Sequence, residues 1–143
     1  LRGQFRTNSD EIFARGEKPT EDIDLINHSF GPHLTLEGTL PESERTIGWV
    51  YDFLNKIPAA IGMTPITQPY VTKKDGWIDG ILLIAESHIS IHIEESTGRY
   101  YFDIFSCKNF DVPKVLDLIR QNGLNFDEST KTLTARGKRF PRP

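Results

Sequence analysis

The chain has 143 residues, 37% hydrophobic and 26% charged, which fits one globular domain around a single core. A net charge of −3 argues against a nucleic-acid partner, and no apolar run reaches the length of a membrane span or forms a signal-peptide core. The lone cysteine, Cys107, rules out an internal disulfide, and a thiol best kept reduced fits a cytoplasmic setting.

Residues 1–30 are polar, carry Gly3, Gly16 and Pro19, and show no sustained period, so they read as an extension outside a domain spanning 31–143. His33–Gly38 alternates as a strand. A helix is expected near 42–57, with Ile47, Val50, Tyr51, Leu54 and Ile57 at helical spacing and Pro58 near its end. That apolar stripe is core and not a cofactor site. Strands are expected near 63–71, at Gly80–Ala85, at Ile89–Ile93 and at Tyr100–Ser106, with a turn at Ser96-Thr97-Gly98. Asp111 is a good N-cap for a second helix, with Pro113 in its first turn and Asn122-Gly123 at its end. Lys131–Ala135 reads as the last strand, and the basic run Arg136 to Arg142 as a solvated or loosely docked terminus. The order β-α-β-β-β-β-α-β predicts an α+β fold, a two-layer α/β sandwich with a mainly antiparallel sheet and helices on one face.

The chemistry concentrates in Leu83-Ile84-Ala85-Glu86-Ser87-His88-Ile89-Ser90-Ile91-His92, with Cys107 fifteen residues after His92. Taken singly, each residue has a plain structural meaning. A serine in an apolar strand is commonly a hydrogen-bonded core or edge residue, and one cysteine in Asp103-Ile104-Phe105-Ser106-Cys107 is commonly a small buried hydrophobe. In a strand, His88, Ser90 and His92 share one face while Ile89, Ile91 and Ile93 pack on the other. Two histidines do not make a metal site, and Glu94 and Glu95 sit where a hairpin end exposes them, so no metal is expected.

Taken together, Glu-Ser-His, a histidine five residues after the serine and a cysteine fifteen further on resemble the self-cleavage site of the small prokaryotic S-adenosylmethionine decarboxylases. Gly31-Pro32-His33-Leu34 is similar to that family's opening Gly-x-His-Leu, and the resemblance runs from about Gly31 to the end of the second helix. It implies a proenzyme, or zymogen, that cleaves itself between Glu86 and Ser87. Attack of the Ser87 hydroxyl on the Glu86 carbonyl would make an ester; β-elimination would then release the Glu86 carboxylate and leave dehydroalanine, and hydrolysis with loss of ammonia would leave a pyruvoyl group. The resemblance gives His92 the removal of the α-proton, a task suited to imidazole. In turnover, the substrate amine would form a Schiff base with the pyruvoyl carbonyl, and Cys107 would return a proton as general acid. The pyruvoyl group made from Ser87 would be the only cofactor. A homodimer with its active site near the interface, acting on a small-molecule substrate in polyamine (spermidine) biosynthesis, is implied in the same way.

Departures from the family pattern fall where substrate is held. Trp77-Ile78-Asp79-Gly80 stands where Gly-Val-Ser-Gly is common, His92-Ile93-Glu94-Glu95-Ser96 where His-Thr-Trp-Pro-Glu is usual, and Tyr70-Val71-Thr72-Lys73 where Phe-His-x-Phe is usual. S-adenosylmethionine is the family's usual substrate. Arginine or ornithine is the alternative, with Asp79 binding the cationic side chain, unless Asp79 only shapes a turn with Gly80. A noncatalytic regulatory paralogue is the reading from another class, although such a protein would be expected to lose Ser87, His92 or Cys107. One geometric demand follows. In a straight strand Ser87 and His92 point to opposite faces and stand about 17 Å apart. Either the chain bends at Glu86-Ser87, or His92 acts on a proton brought to it by a neighbouring strand.

Overall fold

The structure is a computed structural model that describes residues 29–85 and 87–138. The expected extension at 1–30 therefore lies outside the described residues except at its end, because β1 (Ser29–Thr39) already begins at Ser29. There follow α1 (Ile47–Ala60), β2 (Tyr70–Lys74), β3 (Trp77–Ile84), β4 (Ser87–Glu94), β5 (Arg99–Phe105), α2 (Val112–Gln121), a short β6 (Asn125–Phe126) and β7 (Thr132–Lys138). The sheet runs β2-β3-β4-β5-β1, and β6 and β7 both pair with β1 on its far side. Every pairing is antiparallel. The α+β two-layer sandwich expected from the pattern is the fold observed.

Four local expectations are corrected. The first helix starts at Ile47 and not near 42; residues 42–44 form a separate 3-10 turn, and Thr46 caps α1 by accepting a hydrogen bond from the Trp49 N–H at 3.1 Å. The strand expected at 63–71 is absent as a unit. Pro65 and Pro69 have no N–H to give a ladder, so only an isolated bridge, Pro65 to Ile84, forms before β2 begins at Tyr70. Asp79-Gly80 is not a turn but mid-strand in β3; the turn is Asp75-Gly76, with φ of 53° and 84°, which suits the tight hairpin joining β2 to β3. The last strand continues past Ala135 to Lys138, so the start of the basic tail is sheet and not loose terminus. The turn before β5 and the second helix stand as expected, with the Asp111 carboxylate accepting from the Lys114 N–H at 3.2 Å and Gly123 at φ 86°.

Both helices cover one face. Val50, Leu54 and Ile57 of α1 and Val115, Leu116 and Ile119 of α2 are buried in one cluster with Ile78, Leu82 and Ile84 of β3, Ile89, Ile91 and Ile93 of β4, and Ile104 of β5. Gly80 permits the close approach of α1: a Cβ there would lie 2.8 Å from Val50 Cγ1 and 2.9 Å from Leu54 Cδ1. The alternate residues of the same strands line the other face, where no described helix lies against them. Tyr70, Ile81, Leu83 and Tyr101 are exposed there. No described helix is long and apolar enough to cross a membrane.

Candidate active site

The hairpin β3–β4 sets the position of Ser87. Its cross-strand partner is Ile84, which is fully buried, so Ser87 shares the helix-side face with Ile84 and Ile89. There its Oγ accepts a hydrogen bond from the Cys107 N–H at 3.0 Å. Cys107 follows the end of β5, beside the fully buried Ser106. Gly31 makes room for this segment: a Cβ on it would lie 1.8 Å from the Ser106 carbonyl oxygen and 3.0 Å from the Cys107 Cα. The adjacent Pro32 carbonyl accepts from the Ser106 N–H at 3.1 Å. Thus Gly31-Pro32 of β1 holds the cysteine segment against the serine.

His92 is elsewhere. β4 pairs with both neighbours in unbroken register from His88 to Ile93, with no bulge to turn one residue toward the other. His92 therefore stands on the open face, about 17 Å along the strand from Ser87 and on the opposite side. The bend allowed for at Glu86-Ser87 does not bring them together; Glu86 itself lies outside the described residues. On the open face His92 pairs with Asp79, its cross-strand partner, Nδ1 to Oδ1 at 2.7 Å. Tyr101 is its partner on β5, and Trp77 lies 6.3 Å from Tyr101 between ring centroids. These are aromatic groups that the altered Tyr70-Val71-Thr72-Lys73 segment gave no hint of. Lys73 itself pairs with Glu95 at 2.9 Å.

Asp103 organises the middle of the open face and was not singled out as a site residue. Its Oδ2 accepts from His33 Nε2 at 2.7 Å and faces His88 Nε2 at 3.4 Å, while its Oδ1 accepts from the Ser90 hydroxyl. Arg136 Nη1 lies 3.4 Å from His33 Nδ1, and its guanidinium lies 4.1 Å over the Phe105 ring. A shallow depression of about 340 Å³ is lined by His33, Glu37, Ser90, His92, Tyr101 and Asp103. The available signal was a carboxylate at an alternate position of an otherwise apolar strand; its partners come from strands 13 and 70 residues away in the chain.

Burial of Asp103 works to raise its pKa, but the hydrogen bonds from His33 and Ser90 and the charges of His33 and His88 outweigh it, so the carboxyl sits below its ordinary value. A depressed folded-state pKa contributes stability that is present above the unfolded value, near 4, and is lost as the pH falls through the folded one. Asp103→Asn should therefore be less stable than the parent at neutral pH. In urea titrations from pH 6 down to 2, that difference should shrink; a constant gap across the range would remove the Asp103 carboxylate as its source.

Among the described residues, no group of three or more His, Cys, Asp or Glu side chains could hold a metal ion. The residues around Ser87 do fit a pyruvoyl precursor: a serine hydroxyl already hydrogen-bonded beside the cysteine segment, at the first residue of a strand.

The profile of the S-adenosylmethionine decarboxylase family matches residues 33–137, which takes in β7 as well as the region of motif resemblance. Two curated proteins, each an S-adenosylmethionine decarboxylase proenzyme from Clostridium botulinum (strain Loch Maree / Type A3 and strain 657 / Type Ba4), are 31% identical over 91 residues. That span covers 63% of this chain and 78% of each relative. The crystal structure of the adenosylmethionine decarboxylase from Aquifex aeolicus VF5 superposes with a TM-score of 0.65 at 19% identity, covering 81% of this chain and 98% of that one, which is agreement of fold. With the Ser87, His92 and Cys107 pattern set in that fold and the family profile spanning most of the sequence, the chain belongs to the S-adenosylmethionine decarboxylase family.

Proposed function

We propose that the chain is a self-processing pyruvoyl-dependent decarboxylase of polyamine synthesis, with Ser87 as pyruvoyl precursor, His92 as processing base and Cys107 as proton donor in turnover. The observation that carries this reading is the contact of Ser87 Oγ with the Cys107 amide, which joins two of the three site residues across the fold. When formed, the pyruvoyl carbonyl supplies the electrophile that engages a substrate amine and takes up the electron pair left as carbon dioxide departs. Ser87 Oγ, held at Cys107, attacks the preceding carbonyl. Cys107, half-buried next to the position of that new group, carries a proton to the substrate α-carbon.

S-adenosylmethionine is the preferred substrate, on the strength of the relatives' activity. The arginine or ornithine reading keeps one specific support: the Asp79 carboxylate is 43% exposed on the open face. Its pairing with His92 weighs against it, since that carboxylate already has a partner.

A second copy of the chain is the proposed partner. Among the described residues the open face exposes Tyr70, Ile81, Leu83 and Tyr101 on one sheet, which favours burial against another surface. His92 on that face is separated from its own Ser87 by the sheet, so the base of one copy would serve the serine of another whose Ser87 end of β4 meets that face.

Intact mass under denaturing conditions tests the processing. Two fragments, 1–86 and 87–143, are expected, the second lighter than its encoded mass; a single uncleaved chain would favour the regulatory paralogue. Release of labelled carbon dioxide from S-adenosylmethionine, arginine and ornithine then selects the substrate. Cys107→Ala should cleave yet lose roughly 10²–10⁴-fold in kcat. A cleaved variant with undiminished kcat would remove Cys107 as proton donor.

A further inference from the structure

We propose that Asp79 is the positioning residue of the processing base: it holds the His92 imidazole as the Nδ1–H tautomer, so that Nε2 carries the lone pair that takes the α-proton of residue 87. This rests on the reading above that Ser87 is processed, with the base supplied by a second copy of the chain. Asp79 and His92 are direct cross-strand partners in the middle of the β3–β4 ladder, where both backbones are held by regular pairing. Their side chains meet at 2.7 Å, Oδ1 to Nδ1. An ionised carboxylate only accepts, so the shared proton belongs to Nδ1. Among the described residues no hydrogen bond engages Nε2, and the imidazole, 52% exposed, is open to an incoming group. Gly80 next in the chain lies under α1, which pins Asp79 to the open face by strand alternation.

The proton balance is closed. In the ester formed between Ser87 Oγ and the Glu86 carbonyl carbon, Nε2 removes the α-hydrogen of residue 87. The Cβ–Oγ bond breaks, the Glu86 carboxylate departs with the electron pair, and dehydroalanine remains. The imidazolium so produced carries its charge against Asp79, an arrangement that stabilises a base at the moment it is protonated. A hydroxyl at position 79 would orient the ring but supply no charge.

The test compares wild type with Asp79→Ala and Asp79→Ser, following chain cleavage by denaturing gel or mass. The His92 tautomer is read from imidazole nitrogen shifts in the same chains carrying Ser87→Ala, which keeps them uncleaved. Asp79→Ala is expected to slow cleavage about 10–100-fold and to move His92 toward the Nε2–H form favoured by a solvated imidazole. Asp79→Ser, which restores an acceptor, should recover part of the rate. Asp79→Asn serves if the alanine variant does not fold, and it too should be slow, because an amide can donate to Nδ1 and invert the tautomer. Cleavage at the wild-type rate in Asp79→Ala, or in the asparagine variant used in its place, overturns the assignment and leaves the proposed function standing. Slowed cleavage with an unchanged tautomer overturns the positioning role. A wild-type chain that never cleaves removes the proposed function and this assignment together.

Discussion

Ser87→Ala should leave one intact chain of 16.3 kDa with no decarboxylase activity. The methyl group has no nucleophile to attack the preceding carbonyl and no oxygen to leave in the elimination, so both halves of the processing chemistry go at once. The substitution should not unfold the protein. It removes one hydrogen-bond acceptor at the edge of the core, leaving the Cys107 N–H at a half-buried site, a cost of about 1–3 kcal/mol. The neighbouring sheet is held by unbroken pairing on both sides of β4. Mass, circular dichroism and activity on the same sample separate the outcomes. A folded Ser87→Ala chain that is still cut between residues 86 and 87 would place the scissile chemistry on another residue.

Chains carrying His92→Ala should likewise stay uncut, or be cut about 10²–10⁴-fold more slowly. Co-expression with Ser87→Ala chains should restore cleavage of the His92→Ala chains alone. This follows from the opposite facing of the two residues. Within one chain the sheet stands between them; in a pair where the open face of one copy meets the end of β4 that carries Ser87 in the other, the intact His92 of the Ser87→Ala copy meets the intact Ser87 of its partner. Distinguishable affinity tags on the two chains identify which one is cut. Absence of cleavage in mixed dimers, with both parents folded, would rule out a base supplied by the partner. Efficient cleavage of His92→Ala chains expressed alone would remove His92 from processing altogether.

Much of the fold was legible in the chain because its strands and helices carry strong local signals. Ile89, Ile91 and Ile93 alternate with His88, Ser90 and His92, and every one of those isoleucines is buried as the alternation requires. Asp111 and Gly123 bracket α2 by capping physics that needs no tertiary context. Boundaries shifted where a local feature competed with periodicity. Thr46 captured the start of α1, and Pro65 and Pro69 denied hydrogen bonds to a segment whose composition otherwise suited a strand. Asp75-Gly76, the hairpin turn, and Asp79-Gly80, a pair within β3, are the same dipeptide with opposite fates. Only the register with β2 and β4 tells them apart.

The order of residues along the chain sets Ser87, His92 and Cys107 at their spacing and turns Ser87 and His92 to opposite sides of a straight strand. Strand alternation is a property of the chain alone, so that conflict was visible before any neighbour was known. That no bulge relieves it depends on the pairing of β4 with β3 and β5. The same pairing brings Cys107 to Ser87 across 20 residues, gives His92 to Asp79, and makes Asp103 the meeting point of His33, His88 and Ser90. A strand's own period fixes the side on which a residue stands, whereas its partners on that side are set by the order and register of strands distant in sequence.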